Sequence, residues 1–155
     1  MQKTTKVLLW ITACMLVAYI GSAATTPSIP GWYQTLIKPS FNPPNWIFAP
    51  VWTTLFIMMG TAAGLIWDRA HKQSGIALVI FSLQLALNLL WSILFFGYHS
   101  PFLAFIEIIF LWLAILATIL SFWKISKTAG ILLLPYICWV SFAMFLNFII
   151  NRLNS

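Results

Sequence analysis

Long apolar stretches alternate with short polar connections along this chain. About 20 mainly apolar residues cross a bilayer as a helix, and the stretch nearest the N-terminus lies close to the lower limit of that length. The pattern predicts an all-α fold, an integral membrane bundle of five transmembrane helices in a single domain over residues 1–155. The five helices are expected at about 7–24, 45–67, 75–98, 102–123 and 129–150.

The first stretch has two interpretations. Lys3 and Lys6 precede it and small residues follow at 21–24, which is also the pattern of a cleavable signal peptide. Its apolar run is long for the hydrophobic region of a signal peptide, so we favour a retained helix. A mature chain beginning near Thr25 would instead leave four helices.

Composition supports a membrane protein and excludes a soluble domain of ordinary make-up. Hydrophobic residues make up 62% of the chain and charged residues only 6%, whereas about a quarter of the residues of a soluble domain are charged. Cys14 and Cys138 fall in the middle of predicted helices and are expected to be buried thiols. His71 and His99 lie in connections without the spacing of metal ligands, so we predict no metal site.

The basic residues are distributed unequally between the two ends of a five-helix bundle. One end carries Lys3, Lys6, Arg69, Lys72, Lys124 and Lys127. The other end has only Lys38 and Arg152. The positive-inside rule therefore places the N-terminus in the cytoplasm. The same asymmetry accounts for the net charge of +6, so no nucleic-acid partner is needed to explain it.

The connection between the first two predicted helices, residues 25–45, is unusually long and rich in proline. Loops of that length in a compact domain are usually functional or disordered. Several of its residues are large and apolar, so we predict an ordered loop that caps the helix ends. Pro43 and Pro44 suit the first turn of the second helix, and Pro50 should kink that helix and open space beneath the cap. Lys38 and Arg152 could then meet an anion at the mouth.

Aromatic and polar residues from four predicted helices converge on one depth beneath this cap. Those on a shared helix face are Phe48, Trp52, Phe56, Gln84, Asn88, Trp91, Phe95, Trp139, Ala143 and Asn147, with Phe142 and Leu146 beside them and Glu107 in the fourth helix. The convergence predicts a ligand pocket, although aromatic stripes also serve in packing.

Three of these features keep a structural alternative. Asn88 and Asn147 could bond across helices, which is a common use of amides in membranes. Gly60 and Gly64 form a GxxxG pattern, which indicates close helix packing within the bundle or between chains. Glu107 is the only acid predicted inside a span, so it is either a functional residue or a protonated structural one.

Three segments carry a family resemblance that extends over nearly the whole chain. They are "WYQTLIKPSFNPPNWIFAPVW" at 32–52, "ALNLLWSILFF" at 86–96 and "PYICWVSFAMFLNFIINR" at 135–152. These segments resemble the TspO family of tryptophan-rich sensory proteins, which are related to the mitochondrial translocator protein. The resemblance implies a five-helix bundle in a bacterial cell membrane, often a homodimer. It also implies a pocket, capped by the first long loop, for protoporphyrin IX and for synthetic ligands such as isoquinoline carboxamides.

The resemblance assigns candidate ligand-binding residues. The positions that match the family's pocket are Tyr33, Pro43, Pro44, Phe48, Trp52, Phe56, Asn88, Trp91, Trp139, Phe142, Ala143 and Leu146. Lys38 and Glu107 join them on the arguments from charge and depth given above. One departure from the animal proteins is Phe148, which stands where their cholesterol-recognition pattern needs a tyrosine.

These observations predict a membrane tetrapyrrole-binding protein whose porphyrin is a ligand or substrate and not an intrinsic cofactor. The resemblance also raises a light- and oxygen-dependent degradation of bound porphyrin, with Trp52 and Trp139 matching the tryptophans implicated in it. The sequence contains no acid–base pair and no activated nucleophile of the kind that identifies an enzyme, so the enzyme question stays open. A transporter of porphyrin or another lipophile and a ligand-responsive sensor without catalysis are the alternatives.

Overall fold

The computed structural model describes residues 1–69 and 71–155. Helix α1 is Lys3–Ser28, α2 is Asn45–Asp68, α3 is Ser74–Ser92, α4 is Pro101–Ile125, α5 is Lys127–Leu132 and α6 is Leu134–Leu153. Single π-helical turns, Ile29–Tyr33 and Ile93–Gly97, prolong α1 and α3. Within the described residues, five helical spans are long and apolar enough to cross a membrane, with α5 and α6 together forming the last one. The expected all-α bundle of five transmembrane helices is thereby confirmed.

The helices form a ring in which neighbours in space are mostly neighbours in sequence. Helix α1 packs along α2, α3 along α4, and α4 along α6, while α1 also contacts α3 and α2 contacts α5. The spans alternate in direction. The end of the bundle that holds Lys3 is called here the N-terminal end. The opposite end, which holds residues 34–44, is called the cap end.

Gly60 and Gly64 bring α1 and α2 into backbone contact near the N-terminal end. A Cβ atom built on Gly60 would lie 2.5 Å from the Cα atom of Ile11, and one on Gly64 would lie 2.5 Å from the Cα atom of Val7. Only glycine allows such an approach, which is the usual role of a GxxxG pair in membranes. Of the two alternatives for this pattern, the structure uses it within the bundle.

Large side chains fill the core from the Gly60 and Gly64 contacts to the middle of the bundle. Phe81 is fully buried and stacks on Phe122 at 5.7 Å, while the ring of Trp10 meets Phe81 edge-on at 5.5 Å. Cys14 is buried as predicted, but Cys138 is exposed, so its expected burial is wrong. Cys138 lies on the outer face of α6, and position along a helix does not reveal which way a side chain faces.

The predicted loop at residues 25–45 is shorter than expected. Residues 25–33 continue α1 although they include Pro27 and Pro30. Side chains hold this extension against the end of α3. The Ser28 hydroxyl donates to the carbonyl oxygen of Phe96 at 2.6 Å, and the ring of Trp32 stacks on that of His99 at 4.5 Å. Residues 34–44 remain as the cap, and both Pro43 and Pro44 precede α2 instead of lying inside its first turn.

The cap is anchored to the last turn of α6. The Asn154 side chain accepts from the Ile37 amide at 3.0 Å and donates to the Ile37 carbonyl at 2.9 Å. The ring of Phe41 stacks on that of Phe145 at 5.7 Å. These contacts order the cap, which has no regular secondary structure over residues 36–44, as the sequence predicts.

Candidate functional site

A cavity of about 310 Å³ lies at the cap end of the bundle, between α1, α2, α3 and α6, and residues 34–44 lie beside it without lining it. It is called here the capped cavity. Its lining is mostly apolar, and none of its described lining residues is an acid, a lysine, an arginine or a histidine. A volume near 300 Å³ lies at the lower end of the range for small-molecule sites. The capped cavity therefore suits an apolar ligand, with any charged group of that ligand directed to the mouth.

Aromatic rings form two facing walls of the capped cavity. On the α2 side, Trp52 lies 5.8 Å from Phe56 between ring centroids. Phe48 meets Trp139 of α6 edge-on at 6.2 Å, which joins the α2 wall to the α6 wall. Such rings offer large flat surfaces for stacking.

The α3 wall is fixed to α6 by three side-chain hydrogen bonds. Asn88 donates through its Nδ2 atom to the Tyr136 hydroxyl at 2.9 Å, and that hydroxyl donates to Gln84 at 2.8 Å. The Trp91 indole nitrogen donates to the Oδ1 atom of Asn147 at 3.1 Å. Asn88, Trp91 and Asn147 also line the capped cavity. Asn88 and Asn147 were expected either to bond across helices or to line a pocket. In the structure both do both.

The structure brings most of the predicted ligand-binding residues together at the capped cavity. Those that line it are Tyr33, Phe48, Trp52, Phe56, Asn88, Trp91, Trp139, Ala143 and Leu146. They come from the π-helical turn after α1 and from α2, α3 and α6, so the predicted convergence at one depth corresponds to a real space between these elements.

Lys38, Pro43, Pro44 and Phe142 lie near the capped cavity but do not line it. The Lys38 ammonium donates to the carbonyl oxygens of Tyr33 at 2.7 Å and Leu36 at 3.0 Å, and it lies 4.7 Å from the centre of the Tyr33 ring. Lys38 thus stabilises the cap by contacts within it. The two prolines belong to the segment just before α2, and Phe142 packs against the cluster around Phe95.

Glu107 also lies away from the lining, in the buried face of α4. Its side chain is buried, and neither carboxylate oxygen has a hydrogen-bond partner in the described part of the chain. Because an unpaired charge is very costly at such a place, the geometry favours the neutral acid, the structural alternative of the two. No residue of α4 lines the capped cavity.

The sequence reasoning missed the contribution of α1. Residues of α1 that line the capped cavity are Val17, Ala18, Gly21, Ser22, Thr25 and Thr26. They are mostly small and neither aromatic nor strongly polar, so nothing in their types distinguished them. The available signal was the cluster of small residues at 21–26, which creates room beside the bulky walls of α2 and α3.

The fold and the site together define a class: an α-helical integral membrane protein with an aromatic cavity at the cap end of the bundle. Comparison with known proteins gives the family. The model of the TspO/MBR family matches residues 10–153, and the chain belongs to that family.

Curated relatives cover almost the same length. The tryptophan-rich protein TspO of Chlorobaculum tepidum is 48% identical over 148 residues, which is 94% of each chain. A protein with the same description from Archaeoglobus fulgidus is 41% identical over 145 residues, again 94% of each. The human translocator protein is 35% identical over 126 residues, which cover 79% of this chain and 75% of the human one.

Proposed function

We propose that this protein binds protoporphyrin IX in the capped cavity. The observation that carries the proposal is the concave aromatic space itself, with Trp52 on one wall and Trp139 and Trp91 on the others. A porphyrin is a flat apolar ring with acidic side arms, so the ring would stack on the aromatic walls. The arms would point to the mouth at the cap end, where water can solvate them. Synthetic isoquinoline carboxamides share the flat aromatic character and are expected to compete.

Binding is favoured over transport by the packing beneath the capped cavity. Phe56 and Asn88 lie at its floor, and the next layer toward the N-terminal end contains Cys14, Met59 and Phe81, all fully buried. A passage to the N-terminal end would require these side chains and the close α1–α2 contact at Gly60 to separate. A closed end fits retention or sensing of a ligand better than its passage.

Filling the cavity tests the binding site directly. Ala143 lines the capped cavity, whereas Ala117 of α4 is exposed outside it. We expect Ala143→Phe to weaken protoporphyrin binding by at least about tenfold, which is 1.4 kcal/mol, and Ala117→Phe to bind as the wild type does. Quenching of tryptophan fluorescence during titration in darkness measures both. Equal affinities in the two variants would place the ligand elsewhere.

We further propose that bound porphyrin is degraded under light and oxygen, with Trp52 and Trp139 supplying electrons to the excited pigment. Both indoles line the capped cavity from different helices, so one macrocycle could contact both. Phenylalanine keeps a flat ring but is harder to oxidise than indole. The double substitution Trp52→Phe, Trp139→Phe should therefore retain much of the dark affinity and slow the loss of the Soret band under fixed illumination.

Two outcomes limit this photochemical role. If the double variant bleaches bound porphyrin at the wild-type rate, the tryptophans act only as walls of the site. If the wild type bleaches porphyrin no faster than empty micelles do, the protein is a binder or sensor without catalysis. Affinity in darkness, measured first, separates failure of binding from failure of chemistry.

The proposed setting is a bacterial cell membrane with the N-terminus in the cytoplasm, supported by the basic residues at the N-terminal end. A homodimer is proposed from the family resemblance. Labelling of single cysteines placed at residues 2 and 155 from one side of intact cells tests the orientation. Native mass spectrometry tests the dimer. Labelling of both positions from the same side would contradict the five-span topology.

A further inference from the structure

A second cavity lies at the opposite end of the bundle, remote from the capped cavity. Three elements meet there: the start of α1, the end of α2 and the turn between α4 and α5. The cavity measures about 390 Å³ and is lined by Lys3, Leu65, Asp68, Arg69, Ser126 and Thr128. It is called here the basal cavity. Its depth is that of a membrane surface, because every span ends or begins at this level.

The charges around the basal cavity are unbalanced. Asp68 is the only acid among its lining residues, and it is already paired, since its Oδ1 atom lies 3.0 Å from the ammonium of Lys6. In the described part of the chain no acidic partner lies within ion-pair distance of Lys3 or Arg69. The one other acid of the chain, Glu107, is buried in α4. Lys3 and Arg69 are exposed and have no acidic partner within the described residues, so both are available to pair with an anion from outside the protein.

Two hydroxyl groups complete the lining. The Ser126 oxygen accepts from the Ala129 amide at 3.4 Å, which leaves its hydrogen free to donate. Within the described residues the Thr128 hydroxyl makes no hydrogen bond to another protein group. Two cations and two hydroxyl donors around one space match the needs of a phosphate group, whose oxygens accept several charge-assisted hydrogen bonds.

We propose that the basal cavity binds a phosphate group, with Lys3 and Arg69 supplying charge and Ser126 and Thr128 supplying hydroxyl donors. Two sources share this chemistry: the headgroup of an anionic phospholipid and a soluble phosphate. The depth of the site and the apolar lining residue Leu65 make a lipid the expected source. Basic pockets between transmembrane helices are a recurrent way to hold anionic headgroups.

Charge removal gives the main test, with the full chain in nanodiscs of phosphatidylcholine containing a tenth of phosphatidylglycerol. Lys3→Gln with Arg69→Gln removes the two lining charges. Lys72→Gln with Lys124→Gln removes two charges of the same end that do not line the cavity. Native mass spectrometry measures the phosphatidylglycerol retained on the protein. We expect the first pair to lower its binding about 30-fold, or about 2 kcal/mol for two charges, and the second pair to change it by less than threefold.

A hydroxyl variant separates a defined site from general attraction to a charged surface. Thr128→Val keeps the shape and the charge but removes a donor, and should lower retention about threefold. Equal losses from both charge pairs, together with no effect of Thr128→Val, would overturn the proposal. Helical circular dichroism and protoporphyrin affinity in darkness, expected to match the wild type, confirm that each variant is folded.

The source is distinguished by titrating glycerol phosphate and inorganic phosphate against protein in nanodiscs of phosphatidylcholine alone. Saturable binding that Lys3→Gln with Arg69→Gln abolishes, combined with no preference for phosphatidylglycerol, would identify a soluble phosphate as the ligand of the same site. Preference for phosphatidylglycerol without such binding identifies the lipid. Absence of both would refute the site.

Discussion

The two ends of the bundle are built on opposite packing rules. At the N-terminal end, Gly60 and Gly64 draw α1 against α2 until their backbones touch, and the adjoining core is filled. At the cap end, small residues of α1 such as Gly21 and Ala18 face the capped cavity instead of a helix backbone. A Cβ on Gly21 would meet only the side chains of Leu89 and Ser92, at 3.6 Å.

This difference shows how a helix pair can create a binding space without a separate domain. A small residue of a helix lets two helices touch where it faces the backbone of its neighbour. Where the neighbouring helices are farther away, the same kind of residue leaves an unfilled space. Close backbone packing at the N-terminal end holds α1 against α2, and the same two helices supply walls of the capped cavity at the cap end. We therefore expect the proposed binding at the cap end to depend on the packing at the N-terminal end.

The largest expected effect comes from disrupting the α1–α2 packing at the N-terminal end. Gly64→Leu forces a side chain into a place where even a Cβ lies 2.5 Å from a backbone atom. We expect a loss of at least about 3 kcal/mol in the free energy of unfolding, the upper end of ordinary overpacking, because a backbone cannot move aside as a side chain can. Melting temperature and folded yield in detergent measure it. Gly75→Ala, with nothing within 4 Å of the added Cβ, is the control and should lower neither quantity.

The next effect concerns ligand binding at the cap end. Trp52 lines the capped cavity, whereas Trp112 of α4 donates to the Ser141 hydroxyl at 2.8 Å on the seam with α6. Trp52→Ala should weaken protoporphyrin binding by about 1–3 kcal/mol, the scale of one aromatic stacking contact. Trp112→Ala should leave the affinity within about twofold. Similar losses in both variants would contradict the assignment of the wall.

Residue spacing predicted the helix-bound part of the site because a helix places i and i+4 on one face. Phe48, Trp52 and Phe56 therefore identified their wall without any knowledge of the partner helices. The same spacing does not predict how a helix is rotated about its axis relative to its neighbours. Glu107 has the right depth but lies on a face of α4 outside the cavity lining, and depth alone could not reveal that.

The extension of α1 escaped prediction for another physical reason. Proline is normally read as the end of a helix, so Pro27 and Pro30 suggested a loop from residue 25. In the structure a π-helical turn accommodates this region, and the stacking of Trp32 on His99 holds it in place. That contact joins residues 67 positions apart, so no local sequence pattern predicts it.

A smaller effect is expected from the hydrogen bonds behind the cavity. Tyr136→Phe removes both the bond from Asn88 and the bond to Gln84. Hydrogen bonds between membrane helices average about 0.6 kcal/mol each, so we expect a loss of about 1 kcal/mol in stability. The melting temperature in detergent checks this. Tyr98→Phe, whose ring is 72% exposed, should change nothing, and an equal drop there would point to a general effect of the substitution.

The smallest effect concerns the cap itself. Asn154→Ala removes the paired hydrogen bonds to Ile37, which join the cap to the end of α6. Both bonds are exposed, so their loss should cost under about 1 kcal/mol. Because residues 34–44 lie beside the capped cavity and far from the N-terminal end, we expect this cost to be seen in ligand release and barely in the melting temperature.

We expect Asn154→Ala to release protoporphyrin about two- to fivefold faster, as less than 1 kcal/mol allows, and to increase cutting by proteinase K within residues 34–44. Asn151→Ala is the matched control, because Asn151 lies in the same last turn and does not bond the cap. Stopped-flow displacement by a competing ligand measures release. Unchanged release with increased cutting would mean that the ligand leaves by another route, between the helices, and that the cap orders the end of the bundle without gating the site.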